Sequence, residues 1–143
     1  MTRFIVAGIA LLSAGCGSDP APAAAPTTLA WRPIASWSGH GSMQTETFDI
    51  ESGEFRVHWE TSGEHPPGTG VFQVTANSGD SGNVVVVTAD HRGVGRDTSY
   101  VSDRPRRYYL AIESTNVDWT VSVEEGIFTN QGPPASGDAS GPG

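Results

Sequence analysis

Cys16 is the residue whose type and position predict the most definite chemistry in this 143-residue chain. It is the only cysteine, so no disulfide can form within the chain and the fold must rely on its core alone. Two small residues, Ala14 and Gly15, precede it directly. A peptidase that cuts after small residues would therefore leave this cysteine, with its thiol and a free amine, at a new N-terminus.

The residues before Cys16 have the pattern of an export signal. Arg3 gives the first residues a positive charge, and Phe4–Leu12 is an apolar run of nine residues. A bilayer-spanning helix needs about 20 apolar residues, so this run has the length of a secretory signal instead. We expect residues 1–15 to be removed as a signal peptide.

The segment Leu11–Cys16 (LLSAGC) resembles the lipobox of bacterial lipoproteins. That family usually has an aliphatic residue where Ser13 stands here. The resemblance implies that the thiol of Cys16 receives a diacylglycerol and that the amine is often acylated too, and several acyl chains give stable anchoring. It places the protein in the bacterial cell envelope, on the outer membrane of a host with two membranes and otherwise on the outer face of the cytoplasmic membrane. The alternative is an ordinary signal peptide with a chance cysteine.

The stretches on either side of the central region have compositions that favour extended or disordered chain. Residues 16–30 contain the lipidated cysteine and a spacer in which Pro and Ala alternate, which favours polyproline-like conformations. Residues 126–143 include GPPASGDASGPG and have almost nothing to bury, so we predict a disordered tail. The folded domain is therefore predicted to span residues 31–125.

Residues 79–82 (GDSG) match the sequence around the serine nucleophile of chymotrypsin-like proteases. A serine nucleophile also needs a histidine base within hydrogen-bond reach and a carboxylate behind it. His58 and His65 lie upstream, but neither has the Ala-Ala-His-Cys context of that family, and the double barrel of those proteases needs a longer chain. We interpret the motif as a hairpin loop and predict no catalytic residues.

Histidine and acidic residues are spread too widely to predict a metal site. His58 and Glu60 lie two apart on one strand face, which favours a solvated face with cross-strand charge pairing over metal binding. Two loop pairs carry the oxygen ligands that Ca²⁺ prefers, without the dense spacing of a calcium loop: Asp80 with Asn83, and Asp90 with Asp97. We predict no metal and no cofactor.

Arg104, Arg106 and Arg107 form the only basic cluster, and they stand beside Tyr108 and Tyr109. Tyr and Arg are enriched in recognition hot spots, and exposed aromatic rings also stack on sugars. Strand alternation predicts that Tyr109 points outward. We take Arg106, Arg107 and Tyr109 as the candidate contact for a protein or glycan partner. The alternative is that these charges protect a sheet edge from pairing.

The formal net charge is −8, and loss of Arg3 with the signal peptide leaves the mature chain at −9. An acidic surface repels nucleic acid and anionic lipid headgroups, so no nucleic-acid partner is expected. Eighteen Gly and ten Pro favour many turns and few helices. No stretch of ten or more residues has a helical period of 3.6.

Period-two alternation of apolar and polar residues marks the central region as β-structure. Phe55–Trp59 and Val117–Glu124 alternate cleanly, whereas Val84–Val87 is a continuous apolar run, as expected of a central strand covered on both faces. About eight short strands separated by turn signals predict an all-β fold, a single antiparallel β-sandwich of jelly-roll type. Trp59 and Trp119 are expected near the centre of its core.

Several strand motifs resemble those of small secreted bacterial β-sandwich domains: Thr45–Ile50 (TETFDI), Arg107–Ile112 (RYYLAI) and Val117–Val123 (VDWTVSV). Bacterial pre-peptidase C-terminal domains, which are jelly rolls, are similar more loosely. This resemblance implies an accessory or binding role without catalytic residues. The favoured hypothesis is a lipid-anchored, non-enzymatic binding or interaction module of the cell envelope. A small secreted hydrolase and a purely structural envelope protein are the alternatives.

Overall fold

The structure, a computed structural model, describes Gly15, Gly17 and residues 27–130. The predicted signal peptide, Cys16, most of the spacer and the end of the tail lie outside the described residues. Within residues 27–130 there is no helix long and apolar enough to cross a membrane. The strands are β1 Thr27–His40, β2 Met43–Gln44, β3 Phe48–Ile50, β4 Glu54–Ser62, β5 Val71–Ser78, β6 Val84–Arg92, β7 Gly95–Ser102, β8 Arg106–Thr115 and β9 Asp118–Asn130.

The strands form two antiparallel sheets that pack as a sandwich. Sheet I has the order β1-β9-β4-β7, and sheet II has the order β2-β8-β5-β6, with β3 also pairing with β8. Because β2 and β3 both pair with β8, they act as one interrupted strand, and each sheet then has four strands. Apart from the β5–β6 hairpin, successive strands alternate between the sheets. This order is that of a jelly roll and confirms the predicted all-β sandwich.

The core lies between the two sheets and is built by the alternation seen in the sequence. On β4, Phe55, Val57 and Trp59 point inward and are buried, while their neighbours point outward. Trp59 and Trp119 both contact the buried ring of Phe72, at centroid distances of 5.4 and 6.5 Å. The two tryptophans are therefore core residues, as expected from the sequence.

The paired strands extend beyond the predicted domain limits of 31 and 125. Residues 27–30 belong to β1 and residues 126–130 belong to β9, so the start of the predicted tail and the end of the predicted spacer are strand. β1 and β9 pair at thirteen positions, from Thr27 with Asn130 to His40 with Asp118. Neither segment has a clear strand pattern in its own sequence. Each is strand because β1 and β9 pair with each other there.

The interpretation of Val84–Val87 as a central strand is wrong. β6 is the edge strand of sheet II, and Val84 and Val87 are 65% and 50% exposed. Only Val85 and Val86 pack against the core. The pairing of β5 with β6 contains two register shifts in this region. Such bulges interrupt alternation, so a continuous apolar run here reflects bulged backbone and not burial on both faces.

Candidate functional site

The outer side of sheet I carries a groove of about 470 Å³ among polar side chains. We call this surface the polar face. Strand alternation turns every second residue of β1, β4, β7 and β9 toward it, and the register sets His58 beside Ser122 on one side and Thr98 on the other. The groove is bordered by Ser36, His58, Glu60, Arg96, Thr98, Thr120 and Ser122.

The strands that border the groove contribute side chains of different length. β1 and β9 present hydroxyl residues such as Ser36 and Ser122, whereas β4 and β7 present longer ones such as His58 and Arg96. The groove lies where the short side chains of β1 and β9 adjoin the longer side chains of β4. The resulting surface offers hydroxyl, imidazole, guanidinium and carboxylate groups to a ligand.

Glu124 on β9 links the polar side chains of the neighbouring strand. Its Oε2 accepts a hydrogen bond from Arg56 Nε at 2.6 Å and lies 2.6 Å from His58 Nε2. The hydrogen bond from Arg56 lowers the pKa of Glu124; partial burial opposes this effect, and His58 adds to it. The other ring nitrogen of His58, Nδ1, lies 2.7 Å from Thr98 Oγ1. Cross-strand charge pairing, expected around His58, is thus present on this face.

Arg56 contacts an aromatic pair as well as Glu124. Its Cζ lies 4.3 Å from the ring centroid of Trp31, and that ring meets Tyr100 edge-on with centroids 5.8 Å apart. Burial would lower the pKa of Arg56, but its bonds to Glu124 and Tyr100 outweigh burial and raise it. Trp31 reaches this position because Gly126 lies beneath it, where an added Cβ would come within 3.3 Å of the indole.

Thr98, His58 and Glu124 form a hydroxyl–imidazole–carboxylate chain of the kind used to activate a nucleophile. Acyl transfer also needs hydrogen-bond donors directed at the developing oxyanion. The amide of Thr98 instead donates to Asp97 Oδ1 at 2.8 Å. The amide of Thr98 is thus taken up by a carboxylate and is not directed at an oxyanion. The chain of contacts fixes the orientation of His58 on the polar face.

A second ionic cluster lies beneath sheet I and is structural. Glu125 is fully buried, and its Oε1 accepts hydrogen bonds from the amides of Glu51 and Ser52 at 2.6 and 2.8 Å. Its Oε2 accepts a bond from Arg32 at 2.5 Å. Burial raises the pKa of Glu125, but the Ser52 amide, Arg32 and the Glu51 amide together lower it below its ordinary value. The cluster fastens β1 and the turn before β4 to β9.

The predicted contact residues Arg106, Arg107 and Tyr109 do not form one surface. Arg106 pairs with Asp103 at 2.6 Å, and its Cζ lies 5.7 Å from the buried ring of Tyr108. Burial and the bond to Asp103 raise the pKa of Tyr108 to about 12. Arg106 therefore belongs to a structural cluster with Asp103 and Tyr108 at the start of β8.

Arg107 and Tyr109 lie on the outer side of sheet II, as the alternation predicts for Tyr109. Arg107 is exposed and lies 3.5 Å from Asp49, and the hydroxyl of Tyr109 donates to the carbonyl of Gly82 at 3.4 Å. Both residues are on β8, which is an interior strand of sheet II. The alternative that these charges protect a sheet edge is therefore wrong.

Residues 79–82 form the turn between β5 and β6, so the interpretation of GDSG as a hairpin loop is confirmed. Gly82, with a φ of 74°, donates its amide to Ser78, and Ser81 accepts a bond from the amide of Asn83. Among residues 27–130, no group of three or more His, Cys, Asp or Glu side chains is placed to hold a metal ion.

The polar face was only partly predictable from the sequence. The alternation of β4 placed His58 and Arg56 outward, but the partner residues Glu124, Thr98 and Trp31 depend on which strands become neighbours in the fold. Glu125 did carry a signal, since it follows Val121 and Val123 at an inward position of the alternation. A carboxylate at such a position predicts a buried ionic cluster.

No protein-family model matches the sequence, and no curated protein matches it either. Among solved structures, the chain is similar to one described as the structure of infectious bursal disease virus Gt strain, with a TM-score of 0.41 and 10% sequence identity. The match covers 82% of this chain and 36% of the viral chain, so the chain spans about a third of the length of that protein.

Proposed function

We propose that the protein is a lipid-anchored, non-enzymatic binding module of the bacterial cell envelope that takes its ligand on the polar face of sheet I. The observation that carries the binding role is the groove of about 470 Å³ beside the network of Arg56, His58 and Glu124. Side chains that are already fixed lose little conformational freedom on binding, so a preorganised polar surface favours recognition.

An uncharged saccharide is the ligand class that fits this surface best. The groove offers hydroxyl groups from Ser36 and Ser122 together with charged groups of both signs from Arg96 and Glu60. Sugar hydroxyls donate and accept hydrogen bonds, so they complement such a mixture. A polyanion would meet a chain of net charge −8.

Groove filling tests the ligand site. Ser122→Trp places an indole in the groove, and Thr75→Trp places one on the outer side of sheet II as a matched control. A panel of neutral oligosaccharides of increasing length is titrated against the full mature chain by calorimetry. We expect binding that weakens at least tenfold in Ser122→Trp and is unchanged in Thr75→Trp. If no oligosaccharide of the panel binds, or if both variants weaken binding equally, a saccharide site in the groove is contradicted.

The anchor is supported by the resemblance of Leu11–Cys16 to a lipobox, and it is tested independently of the groove. We expect Cys16→Ser to move the protein from the membrane pellet to the soluble fraction of lysed cells. Ser13→Leu, which brings the segment closer to the family pattern, is the control and should stay in the pellet. A Cys16→Ser protein that stays in the pellet like the wild type would contradict the lipid anchor.

A small hydrolase is the second candidate, because the Thr98–His58–Glu124 chain has the order of an activated nucleophile. Hydrolysis of an activated ester such as p-nitrophenyl acetate is the direct assay. Activity that disappears in both Thr98→Val and His58→Gln would favour the hydrolase over the binding module. We expect no difference between these variants and the wild type.

A further inference from the structure

The large exposed apolar side chains fall into two groups at different places on the sandwich. One group surrounds β6 on sheet II: Val71, Val84, Val87 and Val94. The other lies at one end of sheet I, where Leu29, Tyr100 and Phe128 are 43%, 68% and 58% exposed and Trp31 stands beside Tyr100. We call Leu29, Trp31, Tyr100 and Phe128 the apolar end.

The members of the apolar end share one face. Leu29 is the cross-strand partner of Phe128, and Trp31 is the partner of Gly126, so alternation sets Leu29, Trp31 and Phe128 on the outer side of sheet I. At Gly126 an added Cβ would come within 3.1 Å of Leu29 and 3.3 Å of Trp31. The absence of a side chain there lets the two apolar residues close over β9.

The apolar end is also the part of the described domain nearest to Cys16 along the chain. Thr27 and Asn130 are paired, so the first and last residues of the described sandwich lie beside this patch. Only residues 17–26 separate Cys16 from Thr27, and that length can span at most about 40 Å. A tether of this length keeps the patch at a high local concentration near the lipid.

The chemistry of the patch matches the interface of a bilayer. Trp and Tyr are enriched at the headgroup level, where an apolar ring and a polar atom are both accommodated, and Leu and Phe contribute buried apolar area below it. The arginines next to the patch are paired, with Arg56 bound to Glu124 and Arg32 to Glu125. The neighbouring carboxylate of Glu54, which adjoins Gly126, accepts a hydrogen bond from the hydroxyl of Ser102. Approach of the patch to lipid therefore does not require an unpaired arginine to be desolvated.

We propose that the apolar end is a second membrane contact, which lies in the interface of the bilayer that holds the lipid on Cys16. This inference rests on the proposed anchor. Because the mature chain carries a net charge of −9, one unit below the −8 of the whole sequence after loss of Arg3, the contact favours zwitterionic lipid and weakens as the anionic fraction of the membrane rises. The contact orients the domain on the membrane instead of leaving it free at the end of its spacer.

Tryptophan quenching by brominated lipid tests this contact. The mature lipidated protein is reconstituted into phosphatidylcholine vesicles with brominated acyl chains, which quench only indoles that reach the bilayer. Trp59 and Trp119 are buried in the core, so Trp31 is the expected reporter. We expect quenching in the wild type, its loss in Trp31→Phe, and retention in Trp37→Phe.

A variant of the apolar end and a matched control variant distinguish a specific membrane contact from nonspecific adsorption of exposed apolar side chains. Leu29→Ser with Phe128→Ser retains the Trp31 reporter and should reduce the quenching at least twofold. Val84→Ser with Val87→Ser removes side chains of similar exposure from sheet II and should leave the quenching unchanged. Equal reductions in both double variants would overturn the inference, as would an apolar end that is covered by a second copy in chemical cross-linking.

Mass spectrometry of Cys16 distinguishes failure of this inference from failure of the anchor. An acylated chain that sits in the vesicles without Trp31 quenching overturns the membrane contact and leaves the anchor intact. If Cys16 carries no acyl chain, the anchor fails, and the same protein is then added to preformed brominated vesicles at millimolar lipid. Lack of Trp31 quenching under those conditions overturns the membrane contact as well.

Discussion

The outer sides of the two sheets obey the same alternation and yet differ in how their side chains are held. On sheet I, Glu124 contacts both Arg56 and His58 at 2.6 Å. On sheet II, the contacts of Arg107 and Tyr109 are looser, at 3.5 and 3.4 Å. Alternation alone thus produces an outward face, and a preorganised face arises only where register also aligns complementary partners.

The largest effect is expected for the ionic cluster beneath sheet I. Glu125→Gln removes the carboxylate that accepts two backbone amides and Arg32, and we expect the free energy of unfolding to fall by about 3 kcal/mol. Glu113→Gln changes an exposed carboxylate on sheet II and should alter it by less than about 0.5 kcal/mol. Denaturant unfolding measures both. If Glu125→Gln lowers the free energy of unfolding by less than about 1 kcal/mol, the Glu125 cluster does not hold sheet I together more strongly than exposed carboxylates hold sheet II.

Acid should weaken the protein through the carboxylates of these clusters. The pKa values of Glu124, Glu125 and Asp103 are all lowered in the folded state, from ordinary values of 4.5 for Glu and 3.8 for Asp. Their contribution to stability is present above the ordinary pKa and is lost as pH falls through the lower folded pKa. We expect unfolding stability to decline below pH 4.5 in the wild type and less steeply in Glu124→Gln. Parallel curves would show that Glu124 is not part of this effect.

The network on the polar face predicts energetic coupling between Arg56 and Glu124. A double-mutant cycle with Arg56→Leu and Glu124→Gln should give a coupling of about 1 kcal/mol, because both side chains are mostly buried and the contact is short. The same cycle with Arg107→Leu and Asp49→Asn on sheet II should give a value near zero. Equal coupling energies would show that the two outer sides are held alike.

The smallest effect is expected for the valines of β6. Val84→Thr with Val87→Thr replaces exposed side chains on an edge strand and should change stability by less than about 0.5 kcal/mol. It should nevertheless slow aggregation on heating, since exposed apolar edges template intermolecular pairing. Light scattering during a thermal ramp measures this. Unchanged aggregation would indicate that the bulges of β6 already block pairing.

The fold was largely predictable from the sequence, and the candidate site was not. Alternation on β4 and β9 identifies Phe55, Val57 and Trp119 as inward residues because period two is a local property of a strand. The error at Val84–Val87 has a local cause too, since bulges disturb that period. The groove depends instead on β9 lying between β1 and β4, and no local pattern encodes which strands become neighbours.

The pairing of β1 with β9 has a mechanical consequence. If the proposed lipid anchor holds the protein while a ligand on the polar face is pulled away from the membrane, tension enters the domain at Thr27 and runs along the length of β1. The thirteen residue pairs between β1 and β9 are then loaded in shear and share the force, instead of opening one after another. Because β1 is the first strand after the proposed anchor, the domain would thereby resist force along the direction in which a tethered protein is pulled.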